Sequence, residues 1–157
     1  MTISEQGRET LAGVTYAELQ VTSNFSFLRG ASHPQELVEA AAALGQAAVT
    51  ITDRNTLAGV VRGHVAAKDA GIRFIPGTRL DLIANLEDPD GQVGLSLLCL
   101  PTDRAAYSRL SCLLTIGKRR APKGQCYLVI DDVLAIAPGQ VFIAVPPASL
   151  DGKAGEA

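Results

Sequence analysis

Three arginines lie where predicted strands give way to loops, the positions at which a parallel α/β fold gathers its functional side chains. They are Arg29, Arg54 and Arg79, and the carboxyl ends of parallel strands meet at one edge of a sheet. A guanidinium group is permanently protonated and has no acceptor lone pair, so such a cluster repels divalent cations and suits carboxylates or phosphates. A cluster of arginines at this edge would therefore disfavour a metal ion, and no catalytic residue is assigned among them.

Carboxylates that can neutralise these arginines lie nearby in the sequence at Glu18, Asp53 and Asp81. Because buried charges need partners, the main hypothesis is an internal network of arginines and carboxylates. Two alternatives stay open. The arginines bind an anion, such as a phosphate of DNA or of a nucleotide, or they are unrelated solvated side chains. Asp53 taken alone is more typical of a helix or turn cap than of a catalytic acid.

A second set of residues has the chemistry to contact nucleic acid. A predicted loop carries four positive charges in six residues, which makes them candidate phosphate contacts or simply a solvated loop. Phe25 and Phe27 can stack on a base, although alternating aromatics beside a strand more often pack in a core. The basic residues are Lys118, Arg119, Arg120 and Lys123.

The elements that position these residues alternate between short apolar strands and amphipathic helices. This alternation predicts an α/β fold that begins with a parallel βαβ unit. A complete eight-stranded barrel takes about 250 residues, so 157 residues predict an incomplete barrel, most simply the front portion of a longer one. The predicted strands are 14–22, 47–52, 72–82, 93–100, 126–130 and 140–147, and the predicted helices are 34–44, 56–70, 103–116 and 131–137.

The bulk composition fits one compact domain and excludes a disordered chain. The sequence is 47% hydrophobic and 19% charged, with a mean hydropathy of +0.20. A net charge of −2 gives no global reason for binding nucleic acid or a membrane surface, so any such contact must be local. With no apolar segment of membrane-spanning length and no secretory signal, the chain is predicted to be cytoplasmic. The three cysteines have no C-x-x-C spacing and are predicted to be reduced, mostly buried thiols: Cys99, Cys112 and Cys126.

Three segments resemble a known family when they are taken together. They are YAELQVTSNFSFLRGASHP, ITDRNTLAGVVRGHVAAKDAGIRFIPGTRLDL and LCLPTDRAAYSRLSCLLTIGKRRAPKGQ. The chain is similar to the N-terminal PHP (polymerase and histidinol phosphatase) domain of bacterial error-prone DNA polymerases, which are C-family paralogues of the DNA polymerase III alpha subunit. The resemblance covers residues 14–147, which leaves 1–13 as an N-terminal extension and 148–157 as a flexible tail.

The resemblance implies a distorted (β/α) barrel and a metal site that has lost its ligands. Metal-binding members carry an H-x-H pair at the end of the first strand, an aspartate before a glycine in the next loop, a histidine after Ile-Thr-Asp, and a glutamate two residues after a glycine. The corresponding positions here are Gln20, Thr22, Arg29, Arg54 and Arg79. None is a first-choice ligand for zinc or manganese, so no cofactor is expected.

By resemblance, the chain is expected to be a structural, metal-free domain of an error-prone polymerase used in replication across damage and in repair. The parent family consists of nucleotidyltransferases, but the palm aspartates of two-metal catalysis lie downstream, so this chain alone is predicted to be inactive. The expected partners are the remaining polymerase modules, with weak contact to DNA and none with membrane. The alternatives are a metal-dependent phosphoesterase or 3'-5' exonuclease of the same superfamily, or a stand-alone binding module. A fragment or frameshift product is the preferred origin of the short chain.

Overall fold

The computed structural model describes residues 16–88 and 93–146, which form two small sheets and four helices. The predicted extension 1–13 and tail 148–157 lie outside these residues and stay predictions. The elements in chain order are β1 (Ala17–Val21), α1 (Pro34–Ala43), β2 (Ala48–Ile51), α2 (Val60–Ala70), β3 (Arg73–Pro76), β4 (Thr78–Ile83), β5 (Val93–Pro101), α3 (Arg104–Arg120), α4 (Ile130–Ala135) and β6 (Gln140–Val145).

The first sheet is parallel, as the sequence predicted, with the strand order β1-β2-β3. Every residue of β2 is buried, because the apolar run Ala-Val-Thr-Ile lies in the centre of the sheet. The crossover helices α1 and α2 pack on each other and on the sheet. Their shared core contains Val38, Ala41, Val49, Ala66 and Ala67.

The second sheet is antiparallel, with the order β4-β5-β6. The prediction of one strand over 72–82 is wrong, because the chain changes sheets at Gly77, between β3 and β4. A side chain at Gly77 would lie 2.5 Å from the Leu100 side chain and 2.9 Å from that of Thr50. The larger core lies between this sheet and α3, and includes Leu80, Leu82, Leu97, Leu110 and Leu113.

The fold is therefore mixed α/β, but the described residues do not form a complete barrel. The predicted strand over 126–130 is wrong as well. That segment has no strand pairing, although Leu128 is fully buried and its carbonyl oxygen accepts a hydrogen bond from the Ile83 backbone at 2.9 Å. An apolar run of five residues is compatible with a strand or with a buried coil, and here it fills the end of the core as coil.

Helix α3 continues past the glycine that was predicted to end it. Asp103 caps its start by accepting a hydrogen bond from the Ala106 backbone at 2.7 Å, and the helix ends at Arg120 rather than near Ile116. Gly117 lies inside the helix, where a Cβ atom would be 2.7 Å from both the Cys126 sulfur and the Leu128 side chain. The glycine thus permits close packing of the following segment on the helix and does not stop it.

Substituting Gly117 with alanine is expected to destabilise the protein. Alanine favours a helix by about 1 kcal/mol over glycine, but here the added methyl group overlaps buried atoms, and such overpacking costs about 1–3 kcal/mol. A net loss of about 1 kcal/mol in the free energy of unfolding is expected by urea denaturation. Ser108→Ala, on the exposed side of the same helix, is the control and should change stability by only a few tenths of a kcal/mol. Equal or higher stability of Gly117→Ala would contradict the close-packing interpretation.

Candidate functional site

The loops that follow the three parallel strands converge at one edge of the first sheet. The Thr52 backbone donates a hydrogen bond to the carbonyl oxygen of Val21 at 2.8 Å, and the Arg79 backbone donates to that of Asp53 at 3.1 Å. The Asn55 backbone in turn donates to the Arg79 carbonyl oxygen at 2.7 Å. The sequence prediction that these segments share one edge agrees with this geometry.

Asp81 joins two of the three predicted arginines. Its two carboxylate oxygens lie 2.7 Å from Arg54 Nη1 and 2.8 Å from Arg79 Nε. Ser96 Oγ donates to the carboxylate at 2.6 Å and accepts from Arg79 Nη2 at 2.9 Å. The Asn55 side-chain oxygen accepts from the Asp81 backbone at 3.1 Å. These residues, Arg54, Asn55, Arg79, Asp81 and Ser96, are called the Asp81 network, and the Asp81 side chain in it is only 12% exposed.

The environment of Asp81 favours its charged form. Burial acts to raise the pKa of this carboxyl, but the hydrogen bonds from Ser96 and Arg79 and the charges of Arg79 and Arg54 outweigh it and hold the pKa below its ordinary value. The pKa of Asp132 is also lowered, chiefly by its hydrogen bond from Arg120. A carboxyl whose pKa is lower in the folded state stabilises the protein above the unfolded pKa, and the benefit is lost as the pH falls through the folded value.

Stability should therefore change little from pH 7 to about pH 5 and fall below about pH 4, since unfolded aspartate titrates at about 3.9. Urea unfolding at a series of pH values measures this. The variant Asp81→Asn/Asp132→Asn should be less stable at pH 7 and should lose less stability on acidification than the wild type. An unchanged acid slope in this variant would show that other groups control the transition.

Asp53 does not join the Asp81 network, contrary to the hypothesis. It is 1% exposed and accepts hydrogen bonds from the Ser23 backbone at 2.8 Å, from Ser23 Oγ at 2.6 Å and from Ser26 Oγ at 2.7 Å. Ser26 Oγ also accepts from the Arg54 backbone at 3.0 Å. Asp53 thus fixes the 23–30 loop to the end of β2. The two serines have the residue types of an ordinary loop, so their role here was not predicted.

Glu18 also lies outside the network. Its carboxylate accepts from the Tyr16 hydroxyl at 2.6 Å and from the Gln20 backbone at 2.9 Å, so it binds locally along β1. Gln20 is exposed at the end of that strand, and Thr22 is half-buried just beyond it. Of the five positions at which the resemblance implies replaced metal ligands, the structure brings Arg54 and Arg79 into one ion-paired group.

Arg29 is exposed and forms no ion pair with any residue in the described ranges. It lies at the tip of the 23–30 loop beside Phe27 and Leu28, which are 84% and 87% exposed. The expectation that Phe25 and Phe27 pack in the core is therefore wrong, since Phe25 is 37% exposed as well. Leu28 has a φ of 60°, which is uncommon for a residue other than glycine. It lies in a turn closed by hydrogen bonds from the Arg29 and Gly30 backbone to the Ser26 carbonyl oxygen, at 2.9 and 3.1 Å.

An open cleft of about 660 Å³ lies beside the Asp81 network. Its lining includes Arg54 and Asp81 of the network and also Lys118 and Lys123. The prediction that the four basic residues share one loop is wrong for three of them. Lys118, Arg119 and Arg120 lie in the last turn of α3, and Lys123 lies in the segment that follows. Arg119 is exposed and does not line the cleft, whereas Arg120 is held by Asp132 at 2.7 Å.

The potential metal ligands in the described ranges are dispersed. No three of their His, Cys, Asp and Glu side chains are grouped so that they could hold a metal ion. Cys99 is buried, which raises the pKa of its thiol to about 12, and Cys126 is half-buried. Cys112 is exposed, so the expectation of mostly buried thiols does not hold for this residue.

None of the helices in the described ranges has the length and apolar character that crossing a membrane requires.

Comparison with known sequences gives these loops a family context. Residues 18–134 match the PHP domain. The chain is 55% identical over 136 residues to an error-prone DNA polymerase of Caulobacter vibrioides, covering 87% of this chain and 12% of that protein. It is 52% identical over 133 residues to error-prone DNA polymerase 2 of Agrobacterium fabrum, covering 85% and 11%. The chain therefore spans about one eighth or less of the length of these two relatives.

Two solved structures are similar in fold. One, from Bifidobacterium adolescentis, is described as a metal-dependent phosphoesterase and has a TM-score of 0.53 at 25% identity. The other is an amidohydrolase from Chromobacterium violaceum with bound sulfate and no metal, and has a TM-score of 0.54 at 25% identity. Each alignment covers 67% of this chain and 34% of the other. Because the family match extends over most of the chain and includes all of the loops described above, the protein belongs to the PHP domain family.

Proposed function

We propose that this PHP domain is a structural, metal-free part of a longer error-prone DNA polymerase. The single observation that carries the proposal is the Asp81 network, in which Arg54 and Arg79 share one carboxylate at the edge where the parallel strands end. The charged groups of this network are hydrogen-bonded to one another and to Ser96. Such a network holds the loops in a fixed arrangement without a metal.

The donor set does not fit a divalent cation. Arg54 and Arg79 bring two permanent positive charges to positions that resemble ligand positions of metal-binding relatives, and neither can donate a lone pair. Both oxygens of Asp81 already accept hydrogen bonds from these arginines and from Ser96. A metal ion would have to displace both guanidinium groups from the carboxylate, so no reaction step is assigned to a metal here.

The proposed partners are the remaining modules of the polymerase. Two relatives with 52–55% identity are error-prone DNA polymerases of which this chain covers 11–12%, so DNA synthesis itself belongs to residues outside the domain. The two sheets are proposed to be part of a distorted, incomplete (β/α) barrel. The overlap with a metal-dependent phosphoesterase and an amidohydrolase, at TM-scores of 0.53 and 0.54, supports this assignment.

Metal analysis together with a phosphodiester assay tests the proposal. The purified 157-residue chain should contain no stoichiometric zinc, manganese or iron, and it should not hydrolyse bis-p-nitrophenyl phosphate with any of these ions added. EDTA should leave its unfolding midpoint unchanged. One tightly bound metal per chain, with turnover that a chelator abolishes, would contradict the proposal and favour a phosphoesterase.

A chimera tests the structural part separately. The matching segment of the Caulobacter polymerase is replaced by residues 16–146 of this chain, and folding and primer extension are measured. A folded, active chimera supports a structural role, and introducing Asp81→Asn into it should lower its unfolding midpoint. If the chimera loses extension while remaining folded, the domain contributes more than structure.

A further inference from the structure

The cleft beside the Asp81 network has an unbalanced charge. Three cationic side chains line it, Arg54, Lys118 and Lys123, against the single carboxylate of Asp81. That carboxylate is already shared by two arginines. Neither lysine forms an ion pair with a residue in the described ranges 16–88 and 93–146. Two lysines therefore line the cleft without an ion-pair partner from that part of the chain.

One of the two lysines lies at the end of a helix and the other lies in the turn that follows it. Lys118 lies in the last turn of α3, directly after the close-packed Gly117. Lys123 lies in a turn closed by the hydrogen bond from the Gln125 backbone to the carbonyl oxygen of Pro122 at 3.0 Å. The neighbouring Arg120 is anchored by Asp132 at 2.7 Å, and Arg119 does not line the cleft, so the two lysines are the cations of this segment that do.

Aromatic and polar groups complete the lining of the cleft. Phe25 and Tyr127 are its two aromatic side chains, and Asn55 and Gln125 add amide groups. Arg62 lies 5.7 Å from the centroid of the Phe25 ring, which helps to hold that ring in place. The volume of about 660 Å³ is within the range of small-ligand sites. Nucleotide recognition combines two components. Cationic side chains bind the phosphate, and aromatic rings stack on the base.

We propose that this cleft binds a nucleotide, with its phosphate on Lys118 and Lys123 and its base against Phe25 or Tyr127. The nucleotide is either a free mononucleotide or the phosphorylated end of a single DNA strand, since both present the same chemistry. This inference goes beyond the proposed structural role and does not depend on it, because binding requires neither a metal nor a polymerase module.

Fluorescence anisotropy with the 157-residue chain tests the site. The probes are dTMP, inorganic phosphate, and a 3'-labelled oligothymidylate with or without a 5'-phosphate. The chain should bind the 5'-phosphorylated strand, and Lys118→Gln/Lys123→Gln should weaken binding about tenfold or more. The slope of the logarithm of the binding constant against the logarithm of the salt concentration should also become shallower by about one. The control Lys68→Gln/Arg73→Gln removes the same charge from exposed positions that do not line the cleft and should bind like the wild type.

The competitors distinguish the two forms of the ligand and test the stacking. Competition by dTMP identifies a mononucleotide site, whereas binding of the phosphorylated strand without competition by dTMP identifies a strand end. Either Phe25→Leu or Tyr127→Leu should weaken nucleotide binding by about fivefold while circular dichroism stays unchanged. Failure of every probe to bind, equal weakening by the control variant, or equally strong competition by inorganic phosphate and dTMP would overturn the proposal. None of these outcomes would affect the metal analysis that tests the structural role.

Discussion

Asp81→Asn is expected to lower the free energy of unfolding by about 2–3 kcal/mol. The substitution keeps the shape of the side chain but leaves Arg54 and Arg79 without the carboxylate that both of them contact at 2.7–2.8 Å. Losing one partner of a largely buried ion pair is costly because the other charge stays behind. The cost is below the usual 3–5 kcal/mol because the side chains of Arg54 and Arg79 are 32% and 20% exposed and recover some hydration.

Asp69→Asn is the matched control for this prediction, since it makes the same chemical change at an exposed position that has no ion pair in the described ranges. It should change stability by less than about 0.5 kcal/mol. A double-mutant cycle with Arg79→Gln isolates the pair. The double variant should be more stable than the sum of the single effects predicts, because no unpaired guanidinium remains at position 79. Strict additivity would show that Asp81 and Arg79 do not interact.

Asp53→Ala is expected to have the larger effect, a loss of about 3–5 kcal/mol. This carboxylate is 1% exposed and accepts three hydrogen bonds, two of them from Ser23 and one from Ser26. Removing it leaves three buried donors without an acceptor, and each unsatisfied donor costs about 1–3 kcal/mol before relaxation. The 23–30 loop should then detach from the end of β2, and the Arg54 backbone should lose its bond to Ser26.

Hydrogen exchange and urea denaturation together measure this outcome. In Asp53→Ala the backbone amides of Ser23 and Arg54 should lose protection more than those of the second sheet do. Asp53→Asn keeps one acceptor oxygen and should cost roughly half as much. Asp103→Ala removes one exposed helix cap and should cost about 1 kcal/mol. If Asp53→Ala were no worse than Asp103→Ala, the loop would not depend on this carboxylate.

The two carboxylates hold different parts of the loop edge at which the parallel strands end. Asp53 fixes the loop after β1 to the end of β2, and Asp81 fixes Arg54 and Arg79 beside it. Among the described residues no side chain is hydrogen-bonded to both carboxylates, so Asp53 variants are expected to act mainly on the 23–30 loop and Asp81 variants mainly on the two arginines. The Arg54 backbone, which donates to Ser26, is the point at which the two effects meet. This division explains how the edge stays ordered although its altered ligand positions do not form a metal-binding set.

Much of the first half of the fold was predictable from the sequence. The apolar run of β2 and the amphipathic faces of α1 and α2 predict a parallel βαβ unit, and the structure confirms it. The division of 72–82 at Gly77 was not predictable, because a strand that continues and a strand that changes sheets have the same alternating pattern. The glycine at 117 was misread for a similar reason, since a glycine near a helix end is either a stop or a close contact.

The sequence by itself determined the chemical character of the site, because arginines at Arg54 and Arg79 cannot serve as metal ligands whatever their surroundings. It also determined the family, since the loop segments follow one another in a recognisable order. Only the tertiary structure decided which carboxylate serves which loop. Asp53, Asp81 and Glu18 are equally plausible partners along the chain, but the crossing from the first sheet to the second at Gly77 brings Asp81 and Ser96 to the arginines. Pairing of charges depends on distances of a few ångströms between segments far apart in sequence, and that information arises only when the sheets assemble.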